Sequence, residues 1–481
     1  MLFKHLKTRF NLFGFLSLLT IGFSHSLPAS SEPQVLSVPG GQVSEIKKLI
    51  PDADILGVNQ SAQTVQIRVS PEQAILILDQ FKQSILQKTH SLISESVAGY
   101  KTPEQVVQIL ENLSAQYSEI VTMREFGRST ENRPLYLIEL STRSENKSSK
   151  PVILFNGMHH ARELMTTEVI LDIASYLTSH YASDSEVQQW LDQYRIVLVP
   201  QVNPDGNQKV HDSDRWWRKN TWKKNGRVWG VDLNRNYPSL WNACNGSSGS
   251  VFAQDYRGPE PGSEPETQAM MALVTDIQPV FNISYHSYSE LIIYPFGCES
   301  QENRSSALYK NIATAMADQV IDDQGRTGTY SIGTAPELLY EADGTDLDYQ
   351  WAEHNVMAFT LEVNSSSQGF QPDYQRWRDK TVQAQRGGWM ELIRQMQSGG
   401  VQARIQNPEV TGYRIKFKTA QAYKSWDPER HKAQKLRNGT FLYQILPDGE
   451  YQLILYGKTG KLSSHPFKVS AAITDLGEIE I

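Results

Sequence analysis

The sequence predicts an α/β protein with a mixed, mostly parallel central sheet and helices on both faces. Apolar runs typical of buried strands, such as residues 151–155 and 280–285, alternate with segments whose apolar residues recur at helical spacing, such as 164–177. This alternation indicates a large sheet covered by helices. Beyond about residue 400 the apolar pattern changes to period two, which predicts a separate antiparallel region.

The first 26 residues have the pattern of a signal peptide. Lys4, Lys7 and Arg9 precede an apolar stretch from residue 10 to residue 23, and small residues suited to cleavage follow it. An uncleaved membrane anchor is the alternative, but the run is short for a membrane span. We therefore expect a secreted or periplasmic protein, with no stable membrane insertion after signal cleavage.

Residues 27–95 predict a small α+β module. Segments 35–38, 53–56 and 64–69 alternate as strands do, and residues 71–81 have helical spacing. At Thr102 a capping box with Pro at the first helical position opens the next helix. We take residues 96–399 as the main α/β domain, which includes further strands at 136–141 and 195–201.

Residues 400–481 predict a small antiparallel β-sandwich. Tyr413, Ile415 and Phe417 alternate with polar residues, and a Pro-Asp-Gly turn precedes a second alternating strand at 451–455. Ser398, Gly399 and Gly400 mark the end of the preceding helix.

The strongest chemical signal comes from His160, Glu163 and His286. The first two stand three residues apart, where the strand at 151–155 gives way to a helix, and His286 follows a later strand. Ligands of open α/β sheets bind at such crossings. Two imidazoles and one carboxylate are a ligand set of catalytic zinc sites, so we expect one Zn²⁺ per chain. An isolated His-x-x-Glu more often caps a helix, and His159 is an alternative ligand.

Several ordered motifs between about residues 100 and 396 resemble the zinc carboxypeptidases of the funnelin (M14) family. The matching segments are 157–163, 203–206, 215–219, 230–236, 285–289, Tyr340 followed by Asp348, and 359–362. The first motif implies His160 and Glu163 as ligands and leaves His159 outside the ligand set, and the segment 285–289 supplies His286. The resemblance implies an enzyme that acts on the C-termini of peptides or proteins.

The same motifs imply roles for other residues. Glu362 would accept a proton from a zinc-activated water and pass it to the leaving amine. Arg218 would stabilise the developing oxyanion, and Arg235 would bind the free C-terminal carboxylate through two hydrogen bonds. Asp232 would orient His160. The other implied substrate-binding residues are Asn234, Tyr340, Arg162, Tyr288 and Leu347. Taken alone, most of these residues would read as ordinary surface or turn positions.

The resemblance leaves selectivity open. Leu347 falls at the position of the pocket floor, which would favour an apolar C-terminal residue, whereas an acidic floor would favour Lys or Arg. Asp346 and Asp343 lie so close in sequence that a small register error would reverse the preference.

The flanking regions also resemble parts found in this family. Residues 27–95 would be a pro-segment that shields the cleft, with Lys88 as a candidate cleavage position, or else a permanent accessory domain. Residues 400–481 look like the transthyretin-like domain of one branch, whereas the Ala-Arg pair between the first two ligands is typical of the digestive branch.

Composition limits the partners. The chain has 481 residues, 39% of them hydrophobic and 21% charged, and its net charge of −7 argues against nucleic-acid binding. We expect a monomer. Cys244 and Cys298 are the two cysteines, and an exported protein permits a disulfide between them, although two free thiols are the alternative.

Two other functions compete with the carboxypeptidase hypothesis. A related zinc amidohydrolase acting on cell-wall peptides or other acyl-amides would share the metal ligands and Glu362, but it would not need Arg235 and Tyr340 in this form. A non-catalytic binding protein would be indicated by the loss of a ligand or of the base, and the sequence retains them all.

Overall fold

The computed structural model describes residues 33–60, 62–81, 84–86, 97–143, 150–301, 303, 305–417, 435–436 and 440–481. The predicted signal peptide and Lys88 lie outside these residues. Within them, no helix combines the length and the apolar character that crossing a membrane requires.

The N-terminal module has the predicted α+β character. Its elements are β1 Gln34–Pro39, α1 Val43–Leu49, β2 Asp54–Asn59, β3 Thr64–Val69, α2 Pro71–Gln80 and β4 Ile85–Leu86. The strands form an antiparallel sheet in the order β2-β3-β1-β4. Helix α2 begins with a capping box between Ser70 and Gln73, and it buries Ile77 against Leu36 and Ile67 of the sheet.

The central sheet is mixed, as the sequence predicts. The strands of this region are β5 Val121–Arg128, β6 Pro134–Leu140, β7 Val152–Gly157, β8 Arg195–Val199, β9 Lys223–Lys224, β10 Arg227–Val228, β11 Phe281–Ser287, β12 Leu291–Ile293, β13 Ser331–Gly333 and β14 Met357–Val363. Strands β9 and β10 form a separate hairpin, and the other eight form the central sheet. The order is β13-β12-β14-β11-β7-β8-β6-β5. Strands β14, β11, β7 and β8 are mutually parallel, whereas β12, β6 and β5 join by antiparallel pairing.

Helices cover both faces of this sheet. The helices of this region are α3 Pro103–Gln116, α4 Leu164–His180, α5 Ser185–Gln193, α6 Pro204–Asp212, α7 Pro265–Ile277, α8 Ser306–Ala317, α9 Ala335–Leu338, α10 Asp346–His354 and α11 Tyr374–Arg394. Ile153 and Phe155 of β7 pack in one core with α4, α8 and α11, while Val152 and Leu154 pack in a second core with α7 and α10. A strand buried on both faces explains the continuous apolar run in the sequence. The capping box at Thr102 is confirmed, because Thr102 accepts from the backbone of Gln105 and Gln105 accepts in return.

The C-terminal region packs two sheets face to face. Its strands are β15 Gly400–Ile405, β16 Val410–Phe417, β17 Phe441–Ile445, β18 Gly449–Gly457, β19 Gly460–Val469 and β20 Ile473–Ile479. The sheet orders are β17-β15-β20 and β16-β18-β19, with Leu442, Leu453 and Leu455 fully buried among the side chains between them. The pair β15–β20 is parallel rather than antiparallel. No hairpin joins these two strands, because β20 follows β19 of the opposite sheet, so a tight turn does not dictate its direction.

Candidate active site

The candidate metal ligands meet at the carboxyl ends of the parallel strands. His160 lies in the connection between β7 and α4, and Glu163 is the residue that precedes the first turn of α4. His286 lies near the end of β11, directly opposite Glu362 in the parallel register with β14. Two local motifs and one strand pairing therefore bring distant parts of the sequence to one crevice.

The ligand atoms converge closely. Glu163 Oε1 lies 2.7 Å from His160 Nδ1, and Glu163 Oε2 lies 3.0 Å from His286 Nδ1. The two Nδ1 atoms are 3.1 Å apart. If both nitrogens are unprotonated, their lone pairs repel each other at that distance. A cation bound by both nitrogens would remove the repulsion. The nitrogen and carboxylate donors fit Zn²⁺.

The remaining ring nitrogens of both histidines face polar partners. His160 Nε2 lies 3.2 Å from Asp232 Oδ1, as expected for a carboxylate that orients a metal-bound imidazole. His286 Nε2 lies 3.3 Å from the hydroxyl of Ser284. These contacts leave the Nδ1 atoms available as ligands.

His159 is directed elsewhere. Its Nε2 lies 2.9 Å from the Tyr237 hydroxyl, and its Nδ1 lies 3.3 Å from Ser284 Oγ. Complete burial, and next to it the nearby His286, hold its pKa well below the usual value. The cluster of converging donor atoms contains His160, Glu163 and His286 without His159.

Two buried acids of the crevice, Glu163 and Asp232, stay ionised. Burial alone would raise the pKa of Glu163, but His160 and His286 outweigh it and hold that pKa far below the usual range. Burial likewise opposes ionisation of Asp232, and here Arg218 and His160 hold its pKa well below normal. The crevice is therefore a set of strongly coupled charges rather than a neutral pocket.

Glu362 behaves differently from Glu163, although both line the same cavity. Its desolvation, and next to it the negative charge of Glu163, raise its pKa to about 8. Its position opposite His286 places this carboxyl next to the candidate metal ligands.

Arg218 is fixed by Asp232. Its Nε and Nη2 donate to Asp232 Oδ2 at 3.0 and 2.8 Å, and its Nη1 lies 3.8 Å from Glu163 Oε1. Burial would lower the pKa of this guanidinium, but Asp232, Tyr340 and Glu163 raise it overall. Arg218 therefore presents a permanent, immobile positive charge to the cavity.

Arg235 is buried, and no carboxylate among the residues that the structure describes lies within ion-pair distance of it, although Asp232, Asp348 and Glu362 are near enough to interact with its charge. Its Nε donates to Gly246 O at 3.1 Å and its Nη1 to Asn234 O at 2.7 Å. Asn234 is anchored in turn by its Oδ1, which accepts from the backbone of Asp346 at 2.9 Å. Both Arg235 and Asn234 line the cavity.

Part of the cavity lining is apolar, and we call this part, which includes Leu347, the apolar wall. The residues of this wall are Ile293, Gly297, Ala335, Leu339, Ala342 and Leu347. The neighbouring acids are turned into other contacts: Asp346 accepts from Gln350 and Asp348 accepts from the backbone of Gly297. Asp343 accepts from the backbone of Cys244. The described acids near Leu347 thus do not line the cavity.

The structure does not bring Arg162 to the cavity, in contrast to the substrate-binding role that the sequence implies. Its Nη1 and Nη2 donate to the carboxylate of Asp54 at 2.7 and 3.0 Å, and its guanidinium lies 4.2 Å from the centre of the Phe370 ring. Asp54 belongs to the N-terminal module, so the module occupies this arginine.

Tyr288 and Tyr340 reach the cavity but also contact the module. The Tyr288 hydroxyl donates to Gln66 Oε1 at 2.6 Å. The Tyr340 ring packs on the module's core and lies 5.3 Å from Lys47 Nζ. The module therefore covers the side of the cavity that these phenols define.

Sequence reasoning missed the residues with which the module enters the cavity, Leu56 and Gly57. A Cβ on Gly57 would lie 2.5 Å from the Tyr288 ring, so only glycine permits this approach. A glycine within a strand pattern is a signal for close backbone approach, and the register of β2 shifts next to Gly57. That signal was present in the sequence.

The cysteines form a disulfide, Cys244–Cys298, which decides between the two alternatives that the sequence left open. The bridge joins the loop after Arg235 to the loop that follows β12. Gly297, next to Cys298, lines the cavity.

Fold and site together indicate a metallohydrolase whose candidate metal ligands lie at the carboxyl edge of a mixed α/β sheet. The sequence profile of the zinc carboxypeptidases (Peptidase M14) matches residues 106–383, and this chain belongs to that family. It is a metalloprotease, a hydrolase that acts on peptide bonds.

Individual relatives agree with this assignment. The chain is 28% identical to carboxypeptidase A2 of Mus musculus over 309 residues, which cover 63% of this chain and 72% of that protein. It is 31% identical to a metallocarboxypeptidase A-like protein of Trichophyton verrucosum over 262 residues, or 53% and 59% of the two chains. The crystal structure of carboxypeptidase A from Helicoverpa armigera shares the fold, with a TM-score of 0.65, 22% identity, and coverage of 75% of this chain and 96% of that one.

Proposed function

We propose that this chain is a zinc-dependent carboxypeptidase that removes the C-terminal residue of peptides or proteins. The observation that carries the proposal is Arg235, a buried guanidinium without a described acidic partner in the same cavity as His160, Glu163 and His286. A buried guanidinium that is not directly paired with a carboxylate is costly, and binding an anion lowers that cost. A terminal carboxylate matches the planar fork of a guanidinium.

A zinc ion held by His160, Glu163 and His286 would polarise the scissile carbonyl and lower the pKa of water. Glu362 would accept the proton of the attacking water and deliver it to the leaving amine. Its raised pKa, about 8, supports this role, since a base works best when its pKa lies near the working pH. A nearby divalent cation would lower that pKa towards neutrality.

Arg218 would stabilise the negative charge that develops on the scissile oxygen. Its bonds to Asp232 fix the guanidinium before the substrate arrives, so little reorganisation would accompany the reaction. Asn234 and Tyr340 would assist Arg235 in holding the carboxylate, because all three line one cavity.

The apolar wall supports a preference for an apolar or aromatic C-terminal residue. Leu347 contributes to that wall, and the three nearby aspartates make other contacts. Transferring an apolar side chain to this wall would contribute about 25 cal/mol for each Å² removed from water, whereas the ammonium or guanidinium of a lysine or arginine would find no carboxylate among the residues that form the wall.

The N-terminal module, residues 27–95, would act as a pro-segment. Its Asp54 occupies Arg162, its Gln66 occupies Tyr288, and its Leu56 lines the cavity. Substrate could use Arg162 and Tyr288 only after the module moves away. Arg162 could therefore bind substrate even though it is buried against the module in this structure, because movement of the module would free its guanidinium.

The disulfide supports a secreted or periplasmic location, because such bonds persist in oxidising compartments. We further propose that the chain acts as a monomer on peptide or protein C-termini, without stable membrane insertion.

The test compares N-blocked peptides that end in Phe as the free acid and as the amide. Wild type should cleave the acid and hardly cleave the amide, because Arg235 is left unpaired by the amide. Arg235→Ala should lower kcat/KM for the acid and narrow the gap between acid and amide. Arg227→Ala, at an exposed hairpin, is the matched control and should change neither.

A chelator should abolish all turnover, and added Zn²⁺ should restore it. Equal cleavage of acid and amide by wild type, or cleavage of internal bonds, would reject the carboxypeptidase proposal and favour the amidohydrolase alternative.

A further inference from the structure

The loop that follows Arg235 sets the direction of its guanidinium. Arg235 Nε donates to the carbonyl of Gly246 at 3.1 Å, and the carbonyl of Asn234 holds the other side at 2.7 Å. Gly246 sits in a tight position, since a Cβ there would lie 2.5 Å from the backbone nitrogen of Asp343. Any displacement of residues 244–247 would therefore turn the group that we propose as the carboxylate anchor.

The side chain of Asp343 organises this loop. Its Oδ2 accepts from the backbone N–H groups of Cys244 at 3.0 Å and Gly246 at 3.1 Å, and its Oδ1 accepts from the hydroxyl of Ser247. Asp343 is completely buried. A buried carboxylate that receives three donors from one loop holds that loop in a single arrangement.

The disulfide joins the same loop to the wall of the cavity. Cys244 is bonded to Cys298, and the neighbouring Gly297 lines the cavity. Ala342 donates its N–H to Gly297 O at 2.8 Å, which brings the chain back to Asp343. The disulfide, the Asp343 carboxylate and this backbone hydrogen bond thus form a closed ring of contacts. The ring surrounds the part of the cavity that we propose binds the C-terminus of the substrate.

We propose that Asp343 and the Cys244–Cys298 disulfide are positioning residues for recognition of the substrate's C-terminus. They hold Arg235 in register with the apolar wall at Gly297, and they act through these neighbours without touching substrate. The inference rests on the proposed role of Arg235. The new element is that Asp343 and the Cys244–Cys298 disulfide fix the orientation in which Arg235 meets the substrate.

Loss of these restraints should weaken binding more than chemistry. Glu362 and the metal ligands are attached to β7, β11 and β14, outside the ring. A misdirected Arg235 would weaken substrate and transition state alike, which raises KM and leaves kcat nearly unchanged. Loss of a hydrogen bond to a charged group weakens binding by about 10-fold or more, so an increase of at least about 10-fold in KM is expected.

The experiment measures kcat and KM for the matched acid and amide peptides, together with zinc content, for four proteins. These are wild type, Asp343→Ala, Asp343→Asn and the double variant C244A/C298A. Asp343→Ala and C244A/C298A should raise KM for the acid at least about 10-fold, reduce the ratio of acid to amide cleavage, and retain zinc. Asp343→Asn should recover most of the wild-type KM, because its amide oxygen can still accept from Cys244 and Gly246.

Asp322→Ala provides the matched control. Asp322 is also a buried aspartate that holds a loop, accepting from the backbone of Gln324 and Arg326 and from the hydroxyl of Thr329, but it does not line the cavity. Its loss should lower thermal stability without changing KM or the acid-to-amide ratio. A purely structural role for Asp343 would give the same pattern as Asp322→Ala and would overturn the inference.

Ser247→Ala removes one donor to Asp343, together with the acceptor of Arg257 Nε, and serves if the larger changes prevent folding. It should raise KM in the same direction by a smaller factor, and an unchanged KM would also overturn the inference. Failure of the proposed function has a different signature, because wild type itself would then fail to distinguish acid from amide. Discrimination by wild type that survives unchanged in folded Asp343→Ala would reject the positioning role alone.

Discussion

Arg162 and Arg235 are both buried guanidinium groups near the candidate metal ligands, but their partners differ. Arg162 makes two hydrogen bonds with Asp54 of the N-terminal module and stacks on Phe370. Arg235 donates to carbonyl oxygens and has no described carboxylate within ion-pair distance. The comparison teaches that burial alone does not mark a ligand site. A better mark is a buried charge that the rest of the chain does not pair directly with an opposite charge.

The comparison extends to the candidate metal ligands His160, Glu163 and His286. Substitutions there should have the largest effect, which is on bound zinc. We expect His160→Ala to remove bound zinc and His159→Ala to retain nearly all of it, because His159 contacts Tyr237 and Ser284 instead of the other ligands. Elemental analysis of the purified variants measures the metal content. Equal loss of zinc from both variants would show that the ligand assignment is wrong.

The next largest effect separates proton transfer from binding. Glu362→Gln should lower kcat by at least about 10²-fold, the lower range for general acid–base catalysis, while zinc content and KM stay near wild type. The amide replaces the carboxyl with little change in shape and cannot accept the proton. Steady-state kinetics on the free-acid peptide measure it. A kcat close to that of wild type would exclude Glu362 as the base.

The third effect in size concerns the ion pair between Arg162 and Asp54. Asp54→Ala should increase the activity of the full-length chain, because Arg162 would be left buried without its partner and the module would dock less tightly. Breaking a buried ion pair from one side costs about 3–5 kcal/mol. Initial rates on a blocked peptide, and the rate at which an added protease cleaves the module, report the change.

Lys47→Ala tests the same interface with a weaker contact. Lys47 pairs with Asp255 at 2.7 Å, but both side chains keep about a fifth of their surface exposed, so the pair contributes about 0–1 kcal/mol. We expect a larger increase in activity for Asp54→Ala than for Lys47→Ala. An equal or smaller increase for Asp54→Ala would show that the ion pair of Asp54 with Arg162 is not the main contact that holds the module on the cavity.

The convergence of His160, Glu163 and His286 was predictable because each of these residues lies at or just after the end of a buried strand. The strand at β7 and the start of α4 determine where His160 and Glu163 point, and parallel pairing of β11 with β14 sets His286 beside Glu362. Buried strands leave a continuous apolar signal, so their ends can be read from the sequence with little error.

The contribution of Leu347 to the apolar wall was harder to predict, because Leu347 lies in the first turn of α10. Asp346, Leu347 and Asp348 are consecutive in that turn, and successive side chains of a helix point about 100° apart. The sequence cannot tell which of three such directions faces the cavity. Packing decides it: Asp346 meets Gln350 and Asp348 meets the backbone of Gly297, which leaves Leu347 towards the cavity.

By itself, the sequence determined the α/β class, the β-rich C-terminal region and the set of candidate ligands, because these depend on periodicity and on motifs of a few neighbouring residues. Only the tertiary structure decided that Cys244 pairs with Cys298 across a separation of 54 residues, that Arg162 is bound by Asp54, and that Arg235 is left without an acidic partner among the described residues. Each of these facts depends on which groups lie within a few ångströms after folding. Hydrogen bonds and ion pairs act over that range, and spacing along the chain does not reveal them.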